Sequence, residues 1–230
     1  TKEDRSGYHL VLLAKNKEGY HNLSKLVSIA YSDGFYYTPR IDKELLEKYH
    51  EGLIASTACL GGEIPKSIIH KTPEQTRATI QWFKDIFGND FYLELQRHGI
   101  EEQDIVNKAL VEYSKGMGIP LIATNDVHYI DKEDFDAHHV LICLNTGKDV
   151  DDKDGMHYSG NEYFRTTAEM EELFKDVPEA ISNTQAIVDK IEPFDLTRKV
   201  LLPHFPRPEK FKTEDDYLEH LTFEGAKRRY

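Results

Sequence analysis

The sequence predicts an α/β fold built on a parallel sheet, and three observations lead there. Short apolar runs of strand length recur through the first 130 residues. Segments of helical periodicity separate them, which favours parallel strands joined by right-handed crossovers. Residues able to carry chemistry gather at or near the C-terminal ends of the runs, where α/β folds place their sites.

Taken in order, residues 8–14 (YHLVLLA) read as a strand. Asn16 then precedes a helical pattern with Leu23, Leu26, Val27 and Ala30 on one face, ending near Gly34. Asp42 caps a short helix containing Leu45 and Leu46, and residues 53–57 (LIAST) form the next strand. Thr72-Pro-Glu-Gln75 opens a long helix: Thr at the cap, Pro first, Gln third. That helix carries Trp82, Phe83 and Ile86 and stops at Gly88. Residues 91–95 (FYLEL) are a strand with Glu94 embedded in it, followed by a helix over 101–115. Residues 120–124 form a fourth strand, bounded by Pro120, and 132–144 a helix with Phe135 and Val140 toward the core. Four such units suggest a barrel or an open sheet.

After residue 145 the texture changes. Residues 148–160 are acidic and weakly periodic, hence a loop. Thr166-Thr-Ala-Glu169 is a capping box that opens another helix, and Pro178 starts one more. Residues 193–208 hold four of the nine prolines and read as a connector, with a last helix over 212–230 capped by Thr213.

Composition narrows the function. With 29 Lys and Arg against 41 Asp and Glu, the formal charge is −12. Such a chain does not hold nucleic acid through its average field, so any contact with DNA needs a local patch, a metal or a neighbouring domain. Two cysteines make no disulfide framework. No apolar run is long enough to span a bilayer, and no signal peptide is evident. The expectation is a reduced cytoplasmic protein. The ends, without an initiator Met and stopping within a helical pattern, read as cuts through a longer polypeptide.

The sharpest motif is Asp126-Val-His128, directly after the apolar run 120–124. Spaced by two, the carboxylate and imidazole are expected to leave the same face of one strand. One hard oxygen and one imidazole nitrogen suit zinc, manganese or iron. An isolated Asp-x-His also arises by chance, so its weight depends on its companions. Cys59 follows a strand and precedes Gly61 and Gly62, which let the backbone turn sharply. A thiolate there suits a soft or borderline metal, although most free cysteines are buried hydrophobes, as Cys143 is expected to be. Glu94 and His98 bracket another strand end and are candidates for contact with metal or phosphate. Their bland reading, favoured for Glu94, is a polar cluster at a strand end. His9 opens the first strand, where a hydrogen-bonded core histidine is the commoner case. The adjacent pair His138 and His139 diverges by about a third of a turn on a helix, so solvated or capping roles are expected.

The segments YHLVLLAKNKEGYHNL, GFYYTPRID, EGLIASTACLGGEIP, FYLELQRHG, IPLIATNDVHYI and LPHFP occur in an order that resembles the family of bacterial DNA polymerase III alpha subunits. Essentially the whole chain is covered. The resemblance implies a PHP (polymerase and histidinol phosphatase) domain, a PHP-type distorted (β/α)7 barrel lacking its first strands, followed by a mostly helical connector. Residues 1–145 would be the partial barrel, 146–202 the remaining PHP and helical region, and 203–230 the start of the polymerase core. It further implies that His9, Cys59, Asp126 and His128 ligate metal, with His98 a weaker carry-over. The family's opening His-x-His motif is absent from the chain. Zinc or manganese is expected in this site, and magnesium in a polymerase core outside the chain, where the polymerase carboxylates would lie. The expected function is that of a PHP module in a DNA-directed DNA polymerase, with metal-dependent 3′→5′ exonuclease proofreading. The alternative is a non-catalytic domain that stabilises the polymerase and docks a separate proofreading exonuclease. A free-standing phosphatase is a third, weaker reading. Expected partners are DNA, a proofreading exonuclease subunit and other replicase subunits.

Overall fold

The computed structural model describes residues 7–152, 154–197, 200, 202, 203 and 205–230. The chain divides into two compact units at Phe194/Asp195. Among the described residues of the first, four strands form one sheet in the order β1 (Val11–Ala14), β2 (Leu53–Ser56), β3 (Phe91–Leu95) and β4 (Leu121–Ala123). Helices α1 (Lys17–Ser32) and α2 (Lys43–Lys48) join β1 to β2. Helices α3 (Glu63–His70) and α4 (Pro73–Phe87) join β2 to β3, and α5 (Glu101–Met117) joins β3 to β4. Beyond β4 lie α6 (Phe135–Thr146), α7 (Thr167–Leu173) and α8 (Pro178–Asp189). The second unit contains α9 (Glu214–Arg229).

Local chemistry explains the helix starts. Asn16, Asp42, Thr72, Thr166 and Thr213 each accept a backbone N–H of the first turn, and the three threonines complete capping boxes with Gln75, Glu169 and Asp216. Helix α3 escaped the sequence reading. It follows the Gly61-Gly62 turn with no side-chain cap, and its eight residues are too few for a clear period.

The sheet is mixed rather than wholly parallel. β2, β3 and β4 are parallel, but β1 runs antiparallel to β2, with Val11 opposite Ser56 and Ala14 opposite Leu53. Apolar runs carry no information about strand direction, so the sequence could not reveal this.

Alternation gives the sheet two distinct faces. Leu53, Ala55, Phe91, Leu93, Leu95, Leu121 and Ala123 belong to the main core, with Ile64, Ile80, Phe83, Phe87, Val106 and Leu110 from α3, α4 and α5. Phe83 stacks on Phe91 at 5.4 Å between centroids. On the other face Ile54, Tyr92 and Ile122 pack on Ile187 of α8. Asn183 of α8 donates to the Leu121 carbonyl at 2.8 Å. Asp90 accepts from Lys15 at 2.5 Å and Lys190 at 2.9 Å, tying the ends of β1 and α8 to the start of β3. Burial alone would push the Asp90 carboxyl up, but the two ammonium groups outweigh it and hold it below the ordinary value. After β3, Arg97 grips Asp176 with both guanidinium arms at 2.6 and 2.8 Å and donates to the Leu173 carbonyl, so the α7–α8 corner is clamped to the strand.

Two side chains expected on core faces are exposed: Val27 on α1 and Val140 on α6. Helix α6 is apolar nearly all round, with Leu141 and Leu144 also exposed, and its buried side chain is Cys143, facing the Asp149 carbonyl of the following loop. A helix apolar on every side offers no stripe from which a core face can be read. Among the described residues no helix is long and apolar enough to cross a membrane.

Phe91 is fully buried at the centre of the main core. Phe91→Ala should cost about 3–5 kcal/mol of unfolding free energy, the usual cost of emptying such a site. Urea denaturation followed by circular dichroism checks it.

Candidate metal and phosphoester site

The upper face of the sheet, beyond Ile54, Tyr92 and Ile122, is polar. Glu94 is its hub. One carboxyl oxygen accepts from Ser56 Oγ at 2.5 Å and the other from Thr124 Oγ1 at 2.5 Å and Gln96 Nε2 at 3.2 Å. The Glu94 backbone N–H donates to Thr57 Oγ1 at 2.8 Å. A buried carboxyl is tolerated only when its oxygens are satisfied, and Ser56 at the end of β2, Gln96 just past β3 and Thr124 just past β4 supply the donors. This hub floors a cavity of about 810 Å³ whose wall includes His9, Ser56, Cys59, Glu94, Asp126 and Ile187.

Cys59 reaches the cavity from the turn after β2. Ala58 sits in the left-handed region at φ 57°, which turns the chain sharply. A Cβ on Gly61 would come within 2.9 Å of His9 Nδ1, and one on Gly62 within 2.2 Å of the Thr57 carbonyl oxygen. The bare backbone therefore lets the His9 ring lie against the turn. His9 donates its backbone N–H to Gly61 O at 3.0 Å. Its Nδ1 faces Cys59 Sγ at 3.2 Å.

Asp126 lines the same cavity, but not from a strand. β4 ends at Ala123, and Asp126 lies in the loop beyond it at φ 46°. The expected strand alternation of Asp126 and His128 is therefore not realised: the turn at Asp126 replaces it. His128 Nδ1 is hydrogen-bonded to the Asp126 carbonyl at 2.8 Å, and its ring packs against Tyr158 at 4.6 Å between centroids. Burial, then the nearby Asp126 and Glu162 carboxylates, raise the Tyr158 phenol above its usual value. His138 differs from the solvated role expected of it. Its ring lies 5.9 Å from that of His128 and 5.0 Å from that of Tyr129. Among the described residues, His138 Nδ1 and the Tyr129 hydroxyl are both buried without a hydrogen-bond partner.

His98 is buried away from this cavity, between Gln103, which donates to its Nδ1 at 2.9 Å, and the Asn125 carbonyl, which accepts from its Nε2 at 2.8 Å. Both ring nitrogens are engaged, so His98 braces the loop that carries Asp126. Asn125 extends the brace, donating to Tyr163 O and accepting from Arg165, each at 2.8 Å.

Sequence reading overlooked Glu162. It is buried, and its carboxylate accepts from Ser159 N and Oγ, Gly160 N and Asn161 N at 2.7–3.0 Å. Its own carbonyl accepts from His128 N at 2.8 Å, so it anchors the Asp126–His128 loop. The signal was the run Ser-Gly-Asn before an acidic residue, a turn whose N–H groups converge.

Among the described residues no three His, Cys, Asp or Glu side chains converge closely enough to hold a metal ion. The donor chemistry nevertheless fits a borderline divalent cation: an imidazole nitrogen beside a sulfur, with a carboxylate on the same cavity wall.

Comparison with known proteins finds relatives along the whole chain. Residues 1–98 match the family described as the PHP domain. Along its whole length the chain is 52% identical, over 234 residues, to the DNA polymerase III subunit alpha of Borreliella burgdorferi. The corresponding subunits of Chlamydia pneumoniae and Thermus aquaticus are 38% and 39% identical over 98% and 99% of the chain. The chain carries a PHP-domain segment. It is related from end to end to DNA polymerase III alpha subunits, and spans about a fifth of the length of these relatives, 19–20%.

Although burial works against it, the Ser159 hydroxyl and the backbone N–H groups hold the Glu162 carboxyl below its usual value. A depressed folded value means stability fully present above the ordinary carboxylate range and lost as pH falls through the folded one. Glu162→Gln should therefore be about 1–3 kcal/mol less stable than the parent at pH 7. The gap should close in acid, as urea titrations at neutral and acidic pH will show.

Proposed function

We propose that this chain supplies part of a metal-dependent phosphoesterase centre, the PHP module of a replicative DNA polymerase alpha subunit. The observation that carries it is the His9–Cys59 pair, Nδ1 to Sγ 3.2 Å, on a cavity also walled by Asp126 and floored by Glu94. PHP domains are in general metal-binding. His9, Cys59 and Asp126 would hold the cation, with His128 added from the adjoining loop, and zinc or manganese suits that donor set. When bound, such a metal activates water and offsets charge on a phosphoester. The chain's own part is to fix its ligands: the glycine turn seats His9, Glu94 sets the floor, and His98 and Glu162 brace the loop of Asp126 and His128.

The finer architecture belongs to this proposal. Among the described residues β1 pairs with β2 alone, leaving its outer edge open, and Val11 and Leu13 expose apolar side chains to the cavity. An open edge beside exposed apolar surface calls for further strands. A PHP-type (β/α)7 barrel closed by another part of a longer polypeptide satisfies both. The substrate would be the 3′ end of DNA, and the setting a cytoplasmic replicase with magnesium-dependent synthesis carried out elsewhere in the subunit. Partner replicase subunits follow from the same relationship.

Two measurements test this. Metal content by plasma mass spectrometry, after dialysis against zinc or manganese, should show binding that Cys59→Ser or His9→Ala weakens by roughly 10–100-fold, the range found even for outer-shell partners. In the whole subunit, Asp126→Asn should abolish 3′→5′ cleavage while DNA synthesis persists. Metal uptake indifferent to Cys59 and His9, or cleavage indifferent to Asp126, would contradict the proposal. Absence of both metal uptake and cleavage would favour the stabilising and docking role.

A further inference from the structure

Beside the His9–Cys59 wall lies a second cavity, of about 620 Å³, whose lining includes Tyr8, His9, Thr38, Pro39, Arg40 and Lys43. The two cavities share Tyr8, His9 and Leu10 as a common wall. The chain between α1 and α2 that borders the second cavity carries Phe35, Tyr36 and Tyr37, all exposed. Tyr36 and Tyr37 meet edge to face at 4.8 Å, and the Arg40 guanidinium lies 5.1 Å from the Tyr36 centroid. Across the cavity, Tyr8 is 53% exposed, with Lys66 Nζ 5.3 Å from its ring.

Exposed tyrosines scattered singly need no explanation. These are grouped, and a second feature sets them apart. Among the described residues, three non-glycine positions have positive φ: Tyr37 at 62°, Ala58 at 57° and Asp126 at 46°. Ala58 and Asp126 line the candidate metal site, and Tyr37 belongs to the neighbouring aromatic segment. A bulky residue in the left-handed region costs free energy and is kept where the fold needs its side chain placed. The charged side chains lining the second cavity balance, Arg40 and Lys43 against Asp42 and Glu63, although the chain as a whole carries −12. The acidic groups at the cavity are engaged: Asp42 caps α2 through Leu45 N at 2.9 Å, and Glu63 pairs with Lys43 at 2.9 Å. Arg40 and Lys66 stand among the rings.

Rings interleaved with cations are the chemistry that holds single-stranded nucleic acid: every base offers a face for stacking, and cations meet the phosphates. We infer that the aromatic and basic rim formed by Tyr8, Tyr36, Tyr37, Arg40 and Lys66 binds single-stranded DNA and leads a strand end past His9 into the candidate metal site. The direction of travel rests on the phosphoester reading of that site, whereas the binding stands on the rim. Paired bases cannot stack on the tyrosines, so the rim discriminates against duplex.

The test is fluorescence anisotropy of a labelled oligothymidylate and of a duplex of equal length, titrated with the 230-residue chain at fixed low salt. Metal uptake is measured on the same preparations. The expected result is preference for the single strand, weakened roughly 10–100-fold in Tyr36→Ala/Tyr37→Ala, as loss of one or two stacked bases implies. Tyr36→Phe/Tyr37→Phe, which keeps the rings, should stay within about threefold of the parent. Equal affinity for duplex and single strand, or an alanine variant that binds like the parent, overturns the inference. So does a phenylalanine variant as weak as the alanine one. Metal uptake without single-strand binding removes the rim and leaves the metal centre standing. Tyrosine-dependent binding by a chain that takes up no metal keeps the rim and removes the metal centre.

Discussion

A single buried acidic side chain organises this fold. Glu94 sits on the central parallel strand with its oxygens turned to the inner face of the sheet, where an unsatisfied carboxyl would cost several kcal/mol. Ser56, Gln96 and Thr124 answer it from three successive segments. Each donor stands just before a segment that forms or braces the candidate site: Ser56 precedes the turn of Cys59, Thr124 precedes Asp126, and Gln96 precedes His98, which braces the Asp126 loop. The bonds that satisfy Glu94 therefore also fix the heights at which those three loops leave the sheet.

The loops are then held individually. The His9 ring occupies the space that Gly61 leaves open. His98, with both nitrogens engaged, joins Gln103 at the start of α5 to the backbone of Asn125. Glu162 gathers four donors and offers its own carbonyl to His128. Left-handed backbone at Ala58 and Asp126 is affordable because these bonds over-determine the loops. The arrangement is a firm floor with strained, well-braced edges.

Much of this was legible in the sequence, for reasons that differ by element. β3 was read at its observed bounds because FYLEL is aliphatic or aromatic around one acid, and bracketed by Asp90 and Gln96. Helix α4 announced itself through Thr72, Pro73 and Gln75, whose capping box forms as expected. His9, Cys59 and Asp126, singled out on three separate segments, do line one cavity. Other features lay beyond the reach of pattern. Strand direction leaves no trace in hydrophobicity, so the antiparallel β1 came only from the structure. The left-handed turn at Asp126 carries no glycine to mark it, so the Asp-x-His pair read as strand. Glu94 looked like a strand-end polar residue because its three donors lie 2, 30 and 38 residues away. Long-range satisfaction of a buried acid cannot be read from neighbours in sequence.

The central claim is that Glu94 holds the inner face together through its donors, and a substitution cycle tests it most directly. Unfolding free energies would be compared for the parent, for Glu94→Leu, and for Glu94→Leu combined with Ser56→Ala, Gln96→Met and Thr124→Val. Removing the acceptor alone strands buried donors at about 1–3 kcal/mol each, whereas removing the donors too leaves apolar groups that need no partner. The account predicts a large loss in the single variant and substantial recovery in the combined one. A single variant as stable as the parent, or a combined variant no more stable than the single, would contradict it.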